Sequence, residues 1–220
     1  MIDSLGLVIF DCDGVLVDSE RIAVRVNVAL GARLGWPLTA QDVIDQFVGR
    51  SVTSISEIVA ARLGAEAAGT WRERFDIEHR EEVDSGLTAV EGIEEALDQI
   101  TLPTCVASSG THEKMRHTLG RTGLYDRFAG RIFSATEVAH GKPAPDLFLH
   151  AAARMGVPPS ACVVVEDSQY GAQAARTAGM RCLGFAGGLT PAHRLEGPAT
   201  VVFEHMSELP ALLDTVRTSR

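Results

Sequence analysis

Two hydrophobic patterns alternate along this chain. In six places apolar residues run almost unbroken for two to four positions, at 7–10, 104–107, 132–133, 162–165, 182–185 and 201–203. Runs so short read as strands, and the lack of polar alternation within them means that both faces are buried. Between them, at 92–100, 113–122, 145–155 and 171–178, apolar positions recur at the spacing of an amphipathic helix. Strand and helix in alternation predict a parallel sheet with helices on its faces, because parallel strands need a crossover to return the chain to the same end of the sheet. The fold expected is α/β, a Rossmann-like parallel sheet core flanked by helices.

One interval breaks the alternation. From Glu20 to about Ser85 no strand run occurs, and helical spacing repeats instead. Ile22, Val26, Ala29 and Leu34 fit one helical face, and Val52, Ile55, Val59 and Leu63 fit another. Thr39, with Asp42 three residues later, has the form of a helix-capping pair. These features predict an all-helical cap domain inserted after the first strand, with the core at 1–19 and 86–220 and the cap at 20–85. The chain re-enters the core near Thr88 to Glu91, so two crossings tether the cap, and such a tether permits a lid to hinge over a site.

The 220 residues suffice for one α/β domain and a smaller insertion. A composition of 45% hydrophobic and 22% charged residues is that of an ordinary globular protein and changes nothing in this picture. Charge excludes more. A formal net charge of −9 argues against nucleic acid as a partner, since that affinity is carried by Lys and Arg neutralising phosphates. It leaves room for one small phosphate held by local donors and a metal ion. No apolar run approaches the length of a membrane span, and the amino terminus has no basic segment leading into a signal-type stretch. A cytoplasmic protein with no membrane partner is expected, a monomer or a weak homodimer. Cys12, Cys105, Cys162 and Cys182 are isolated, with no C-x-x-C spacing, so neither a disulfide framework nor a zinc site is indicated.

The first run ends in Asp11-Cys12-Asp13-Gly14. Residues two apart on an extended chain face the same way. Two carboxylates therefore project together beyond the carboxyl end of a strand, where open α/β sheets bind ligands. Their repulsion is relieved by a divalent cation or by a raised pKa. From this tetrapeptide alone, a functional acid pair and two turn aspartates capping the strand are equally good readings. The second run leads into Ser108-Ser109-Gly110, by itself an ordinary turn into a helix. Lys142 follows Gly141 and precedes Pro143; it is one of two lysines among twenty basic residues, which suggests a role for a compact ammonium rather than a planar guanidinium. A nucleotide-binding P-loop is excluded, since Thr136 stands where its first glycine should be and Pro143 where its Ser or Thr should be. The fourth run ends in Glu166-Asp167-Ser168, where an aspartate after a strand would by itself read as a helix cap.

Together these segments carry a resemblance. Asp11 to Glu20, reading DCDGVLVDSE, resembles the signature of the haloacid dehalogenase-like phosphotransferase superfamily, and the likeness extends over essentially the whole chain. It implies that Asp11 is a covalent nucleophile, Asp13 the general acid and base, Ser108 a hydrogen-bonding partner of the transferring phosphoryl group, and Lys142 the lysine of the family's third motif. It implies too that Glu166 and Asp167 join Asp11 and the main-chain carbonyl of Asp13 around one Mg²⁺, an oxygen shell of the kind that ion favours. Ser109 and Gly110 beside the second motif, and Gly49 and Arg50 in the cap segment Phe47-Val48-Gly49-Arg50-Ser51, are the candidate substrate-binding residues. The implied activity is Mg²⁺-dependent hydrolysis of a small phosphorylated metabolite, a sugar phosphate or a phosphorylated sugar acid. The stretch 105–124 resembles bacterial sugar-phosphate phosphatases in particular.

Other readings fit less well. Haloacid dehalogenation, in the same family, needs neither a second aspartate nor magnesium, yet Asp13 and the acidic metal pair are both present. A phosphosugar mutase of the β-phosphoglucomutase type shares the overall pattern. That type carries a histidine in the first cap helix and an arginine in the cap loop, where this chain has Ala23 and Val52. A catalytically silent binding protein on the same fold would be expected to have lost Asp11, Asp13, Lys142 or a metal acid, and none is lost. His112, close to Ser108, reads either as a substrate contact or as a polar residue at the start of a helix.

Overall fold

The computed structural model describes residues 5–50 and 52–218. Among the described residues six strands form one parallel sheet: β1 (Leu7–Phe10), β2 (Thr104–Ser108), β3 (Ile132–Ser134), β4 (Cys162–Glu166), β5 (Arg181–Phe185) and β6 (Thr200–Phe203). Their spatial order is β3-β2-β1-β4-β5-β6. Side chains alternate across the sheet as the two-residue period of a strand requires. Val8, Phe10, Val106, Val163 and Val165 enter one apolar cluster, while Leu7, Ile9, Cys105, Ala107, Cys162 and Val164 enter another on the opposite face. Burial on both faces is why the strands read as unbroken apolar runs. The Rossmann-like α/β fold expected from those runs is the fold observed. Three strands extend past their apolar runs, to Ser108, Ser134 and Glu166. Hydropathy stops at these polar residues, but the ladder does not, since Ser108 still pairs with Ser134 and Glu166 with Gly184.

After β1 come four helices, α1 (Glu20–Arg33), α2 (Ala40–Gln46), α3 (Val52–Leu63) and α4 (Ala65–Gly86). The capping pair expected at Thr39 and Asp42 is formed: the Thr39 hydroxyl accepts from the Asp42 amide at 3.1 Å, and the Asp42 carboxylate accepts from the Thr39 amide at 2.8 Å. The four helices bury a cluster of their own, centred on Val26, Leu30, Phe47, Val59 and Trp71. Two expected inward positions differ. Ala29 is exposed, and the inward face of α1 runs through Ile22, Val26 and the larger Leu30 instead. Val52 is 54% exposed, because it begins α3 and looks onto a cleft rather than into the cluster. The stem is closed by two backbone bonds, Asp18 N to Thr88 O at 3.0 Å and Val90 N to Leu16 O at 3.1 Å. The expected core limits at residues 1 and 220 lie outside the described residues.

The remaining helices are α5 (Ile93–Gln99), α6 (His112–Arg121), α7 (Tyr125–Phe128), α8 (Asp146–Met155), α9 (Gln169–Thr177), α10 (Ala192–Leu195) and α11 (Leu209–Thr218). Helices α5, α6, α7 and α11 cover one face of the sheet, and α8, α9 and α10 the other. All four cysteines are free and buried, behaving as small hydrophobes. Among the described residues no helix is long and apolar enough to cross a membrane.

Candidate active site

The chain leaves β1 toward β2 in one direction of the sheet and reaches β4 in the other, so the strand order reverses beside β1. Crevices form at the carboxyl ends of strands at such a point. A cleft of about 420 Å³ opens there, floored by the strand ends and roofed by α1–α4. The structure brings to it all ten residues singled out in the sequence: Asp11 and Asp13 after β1, Ser108 to Gly110 after β2, Lys142 before α8, Glu166 and Asp167 at the end of β4, and Gly49 with Arg50 from the roof. His112 is placed elsewhere. It opens α6 and its ring bonds Glu137 at 2.8 Å, outside this cleft.

Lys142 Nζ bridges two acids, 2.8 Å from Asp11 Oδ1 and 2.7 Å from Glu166 Oε1, over the ring of Phe148. Burial opposes its charge, but the two carboxylates outweigh that and raise its pKa. Asp11, Glu166 and Asp167, all buried, each bring an oxygen within 4.8 Å of the others. One ammonium does not balance three carboxylates. Burial pushes Asp11 up to about 7 against the pull of Lys142, and burial followed by Glu166, Glu20 and Asp11 drives Asp167 well above the usual carboxylate range. Glu166 is supplied with donors, the second being the Ser168 amide at 2.6 Å, whereas Asp167 has none among the described residues. Hard oxygen donors with unbalanced charge fit a divalent cation of the Mg²⁺ or Ca²⁺ kind. Asp11, Glu166 and Asp167 would hold it. Asp167 is not the cap of α9; Ser168 is, its hydroxyl accepting from the Gly171 amide at 3.0 Å. Gly171 must lack a side chain, since a Cβ there would lie 1.8 Å from Glu166 Oε1.

Asp13 is held quite differently from Asp11. Its Oδ2 lies 2.8 Å from Lys114 Nζ, and its Oδ1 accepts from the Ser19 hydroxyl. Burial pushes the carboxyl up, but Lys114 and Ser19 outweigh it and hold Asp13 below the usual range. Lys114, on α6, is the site residue that sequence reasoning missed. The signal was present: the scarcity of lysine that marks Lys142 marks Lys114 equally, since the chain has only these two. Glu20, His79 and Arg72 also line the cleft. Burial, then the neighbouring Asp13, pushes Glu20 up to about 7.

The roof meets the floor at several points. Gly49 has φ +76°, and a Cβ there would lie 2.8 Å from Ser168 Cβ, so glycine permits the close approach. The Arg50 guanidinium packs 5.1 Å from the Tyr170 ring centroid, with its buried Nε unpartnered among the described residues. On the other flank Arg80 pairs with Glu113 at 2.7 Å and His117 with Asp84 at 2.8 Å. Ala23 and Val52 both line the cleft.

A parallel sheet whose strand ends gather a buried lysine and three carboxylates beneath a helical roof defines an α/β enzyme with a place for a cation and a small anion. The chain belongs to the haloacid dehalogenase-like hydrolases, whose family model matches residues 5–179. The 6-phosphogluconate phosphatase of Escherichia coli is 37% identical to it over 210 residues, covering 93% of each chain. The β-phosphoglucomutase of Bacillus subtilis is 31% identical over 192 residues, 82% of this chain and 83% of that one. Among solved structures, a haloacid dehalogenase-like protein of unknown function from Agrobacterium tumefaciens superposes with a TM-score of 0.83 at 36% identity, covering 96% of this chain and 98% of its own. The chain is an enzyme of the phosphatase type within this family.

Proposed function

We propose that the chain is a Mg²⁺-dependent phosphatase that hydrolyses a small phosphorylated metabolite, a sugar phosphate or a phosphorylated sugar acid, through an aspartyl phosphate on Asp11. Residues 20–85 act as the cap domain over a core of 1–19 and 86–220. The observation that carries this reading is the unequal setting of two aspartates at one strand end. Asp11 sits with Lys142 and two further acids, while Asp13 is drawn aside by Lys114 and Ser19. One is set where cations gather, as a nucleophile toward phosphate must be. The other is held apart from that cluster by its own ammonium, Lys114, and is available for proton transfer.

An oxygen of Asp11 attacks phosphorus, the ester P–O bond breaks, and the leaving oxygen takes a proton from Asp13. Asp13 is charged in the resting site, and an arriving phosphate dianion, adding negative charge beside it, favours its protonated form. Water then attacks the aspartyl phosphate and gives its proton to Asp13, and the bond between phosphorus and Asp11 breaks to restore the carboxylate. Lys142 and Ser108 hold the phosphoryl oxygens through both steps. Mg²⁺, when held by Asp11, Glu166, Asp167 and the main-chain carbonyl of Asp13, supplies positive charge to those same oxygens. Ser109, Gly110, Gly49 and Arg50 are assigned to binding the rest of the substrate. The partner is thus a small metabolite and not nucleic acid or membrane. Four reduced, buried thiols suit the cytoplasm, and a monomer or weak homodimer is proposed.

Phosphosugar mutase activity is the second reading, favoured by the likeness to β-phosphoglucomutase. Ala23 and Val52 facing the cleft tell against it, since neither offers the polar group of the mutase type. A screen of phosphorylated sugars, sugar acids, nucleotides and phosphoglycolate with Mg²⁺ tests the proposal. Phosphate release without any bisphosphate activator is expected. Isomerisation of β-glucose 1-phosphate to glucose 6-phosphate, stimulated by the bisphosphate, would replace it with the mutase.

A further inference from the structure

Two polar side chains are buried in the unit formed by α1–α4 among its described residues, and they are used in opposite ways. Asn27, 4% exposed, commits both ends of its amide: Oδ1 accepts from Trp71 Nε1 at 2.9 Å, and Nδ2 donates to the Ala23 carbonyl at 2.8 Å. His79, 7% exposed, commits neither ring nitrogen to a hydrogen bond among the described residues. It lies on the side of α4 that faces the cleft, one turn from Phe75, whose ring stacks on it with centroids 5.1 Å apart. The stacking holds the imidazole plane and leaves its edge to the cleft.

Buried polar groups in native proteins are hydrogen-bonded. A donor and an acceptor held on a fixed ring, without a protein partner among the described residues and open to the cleft, therefore point to a group that arrives with the substrate. Two observations, taken with the phosphatase reading, say what kind of group. Arg80, the next residue in the chain, pairs with Glu113 at 2.7 Å, and Lys114 beside Glu113 holds Asp13, which places His79 on the Asp13 side of the cleft. Asp13 meets the leaving oxygen, so a cap residue beside it meets the leaving group and not the phosphoryl oxygens. Burial, reinforced by Lys114, pushes His79 down to about 4, so the ring is neutral and offers one donor and one acceptor. A hydroxyl offers the same pair in return. A phosphate or carboxylate accepts only, and cations for such groups line the cleft separately as Arg50 and Arg72.

We propose that His79 is a specificity residue that hydrogen-bonds a hydroxyl of the leaving group close to the ester oxygen, so that the enzyme selects phosphate esters of polyols. This rests on the phosphatase reading above. The test is the ratio of kcat/KM for glycerol 3-phosphate to kcat/KM for propyl phosphate, two esters of equal chain length of which only the first carries the neighbouring hydroxyl. The wild-type ratio should exceed about 10. His79→Phe keeps a ring against Phe75 without the nitrogens and should lower the ratio by about 10-fold or more, as expected when a site built to bond a hydroxyl loses its partner. His79→Gln retains a donor and an acceptor and should keep a higher ratio than His79→Phe. A purely structural histidine would slow both esters together. A wild-type ratio near one, or a ratio unmoved in both variants, overturns the proposal and leaves the phosphatase standing. No phosphate released by the wild type from either ester or from nitrophenyl phosphate overturns the phosphatase reading, and the proposal with it.

Discussion

Lys114 Nζ lies 2.8 Å from Asp13 Oδ2, although 101 residues separate the two in the chain. The side chains are 38% and 15% exposed, so solvent screens the pair and it contributes only about 1 kcal/mol to stability. Lys114→Met should accordingly lower Tm by only about 3 °C for a chain of this size. Turnover should fall far more, about 10-fold or beyond, because Asp13 loses the group that fixes it for proton transfer. Calorimetry and phosphate release on the same variant separate the two effects. Wild-type turnover would remove Lys114 from the site.

Asp11 and Asp13 should fail in different ways. Asp11→Asn should abolish turnover and the covalent intermediate, since an amide cannot attack phosphorus. Asp13→Asn keeps the nucleophile and loses the proton donor. Its first step on a sugar phosphate should slow by about 10²- to 10⁴-fold, while nitrophenyl phosphate, whose leaving group departs unaided, should suffer much less. Phosphoenzyme hydrolysis also needs Asp13, so the aryl ester should give a rapid burst of nitrophenol followed by slow turnover. Burst rates lowered equally for both substrates would show that Asp13 is not the leaving-group acid.

Chelation should abolish phosphate release, and added Mg²⁺ should restore it, because Asp11, Glu166 and Asp167 leave more negative charge than Lys142 balances. Calcium should bind and inhibit, as its larger and more variable shell would misplace Asp11 relative to phosphorus. Full turnover in excess chelator would sink the metal assignment.

His79 also makes stability depend on pH. Its folded pKa, about 4, lies below the ordinary 6.5 through burial and the Lys114 charge. Between those values the unfolded chain binds a proton that the folded chain refuses, so stability is complete above pH 6.5 and is lost as pH falls toward 4. The loss at pH 5 should approach about 2 kcal/mol. Urea unfolding at pH 7.5 and pH 5 should show a larger drop for the wild type than for His79→Phe, which has nothing to titrate. Parallel drops in the two proteins would locate the acid sensitivity elsewhere.

Much of this protein was legible before its fold was seen, for reasons that are local in the chain. Strands buried on both faces must be apolar at every position, so β1, β2, β4 and β5 stand out as runs. Helices covering them must be apolar at every third or fourth position, so their order and the parallel sheet follow. A capping pair spans only three residues, and Thr39 with Asp42 formed as spaced. The motif at Asp11 to Glu20 and the acids at 166 and 167 are contiguous strings at strand ends, and the strand direction alone sends them to one edge of the sheet.

Only the tertiary structure decided which distant residues complete the site. That Lys142 bridges Asp11 and Glu166, while Lys114 takes Asp13, depends on how α6 and the loop before α8 pack against β1, and no local pattern encodes which carboxylate each ammonium meets. The choice of Leu30 over Ala29 for the inward face of α1, and the turning of Val52 toward the cleft, were settled by what the neighbouring helices left to fill. His79 shows the division most clearly. No sequence pattern singled out its helix, and that neither ring nitrogen is hydrogen-bonded among the described residues is a property of how α1–α4 pack, because a side chain is committed or idle only in relation to the groups that folding brings within reach.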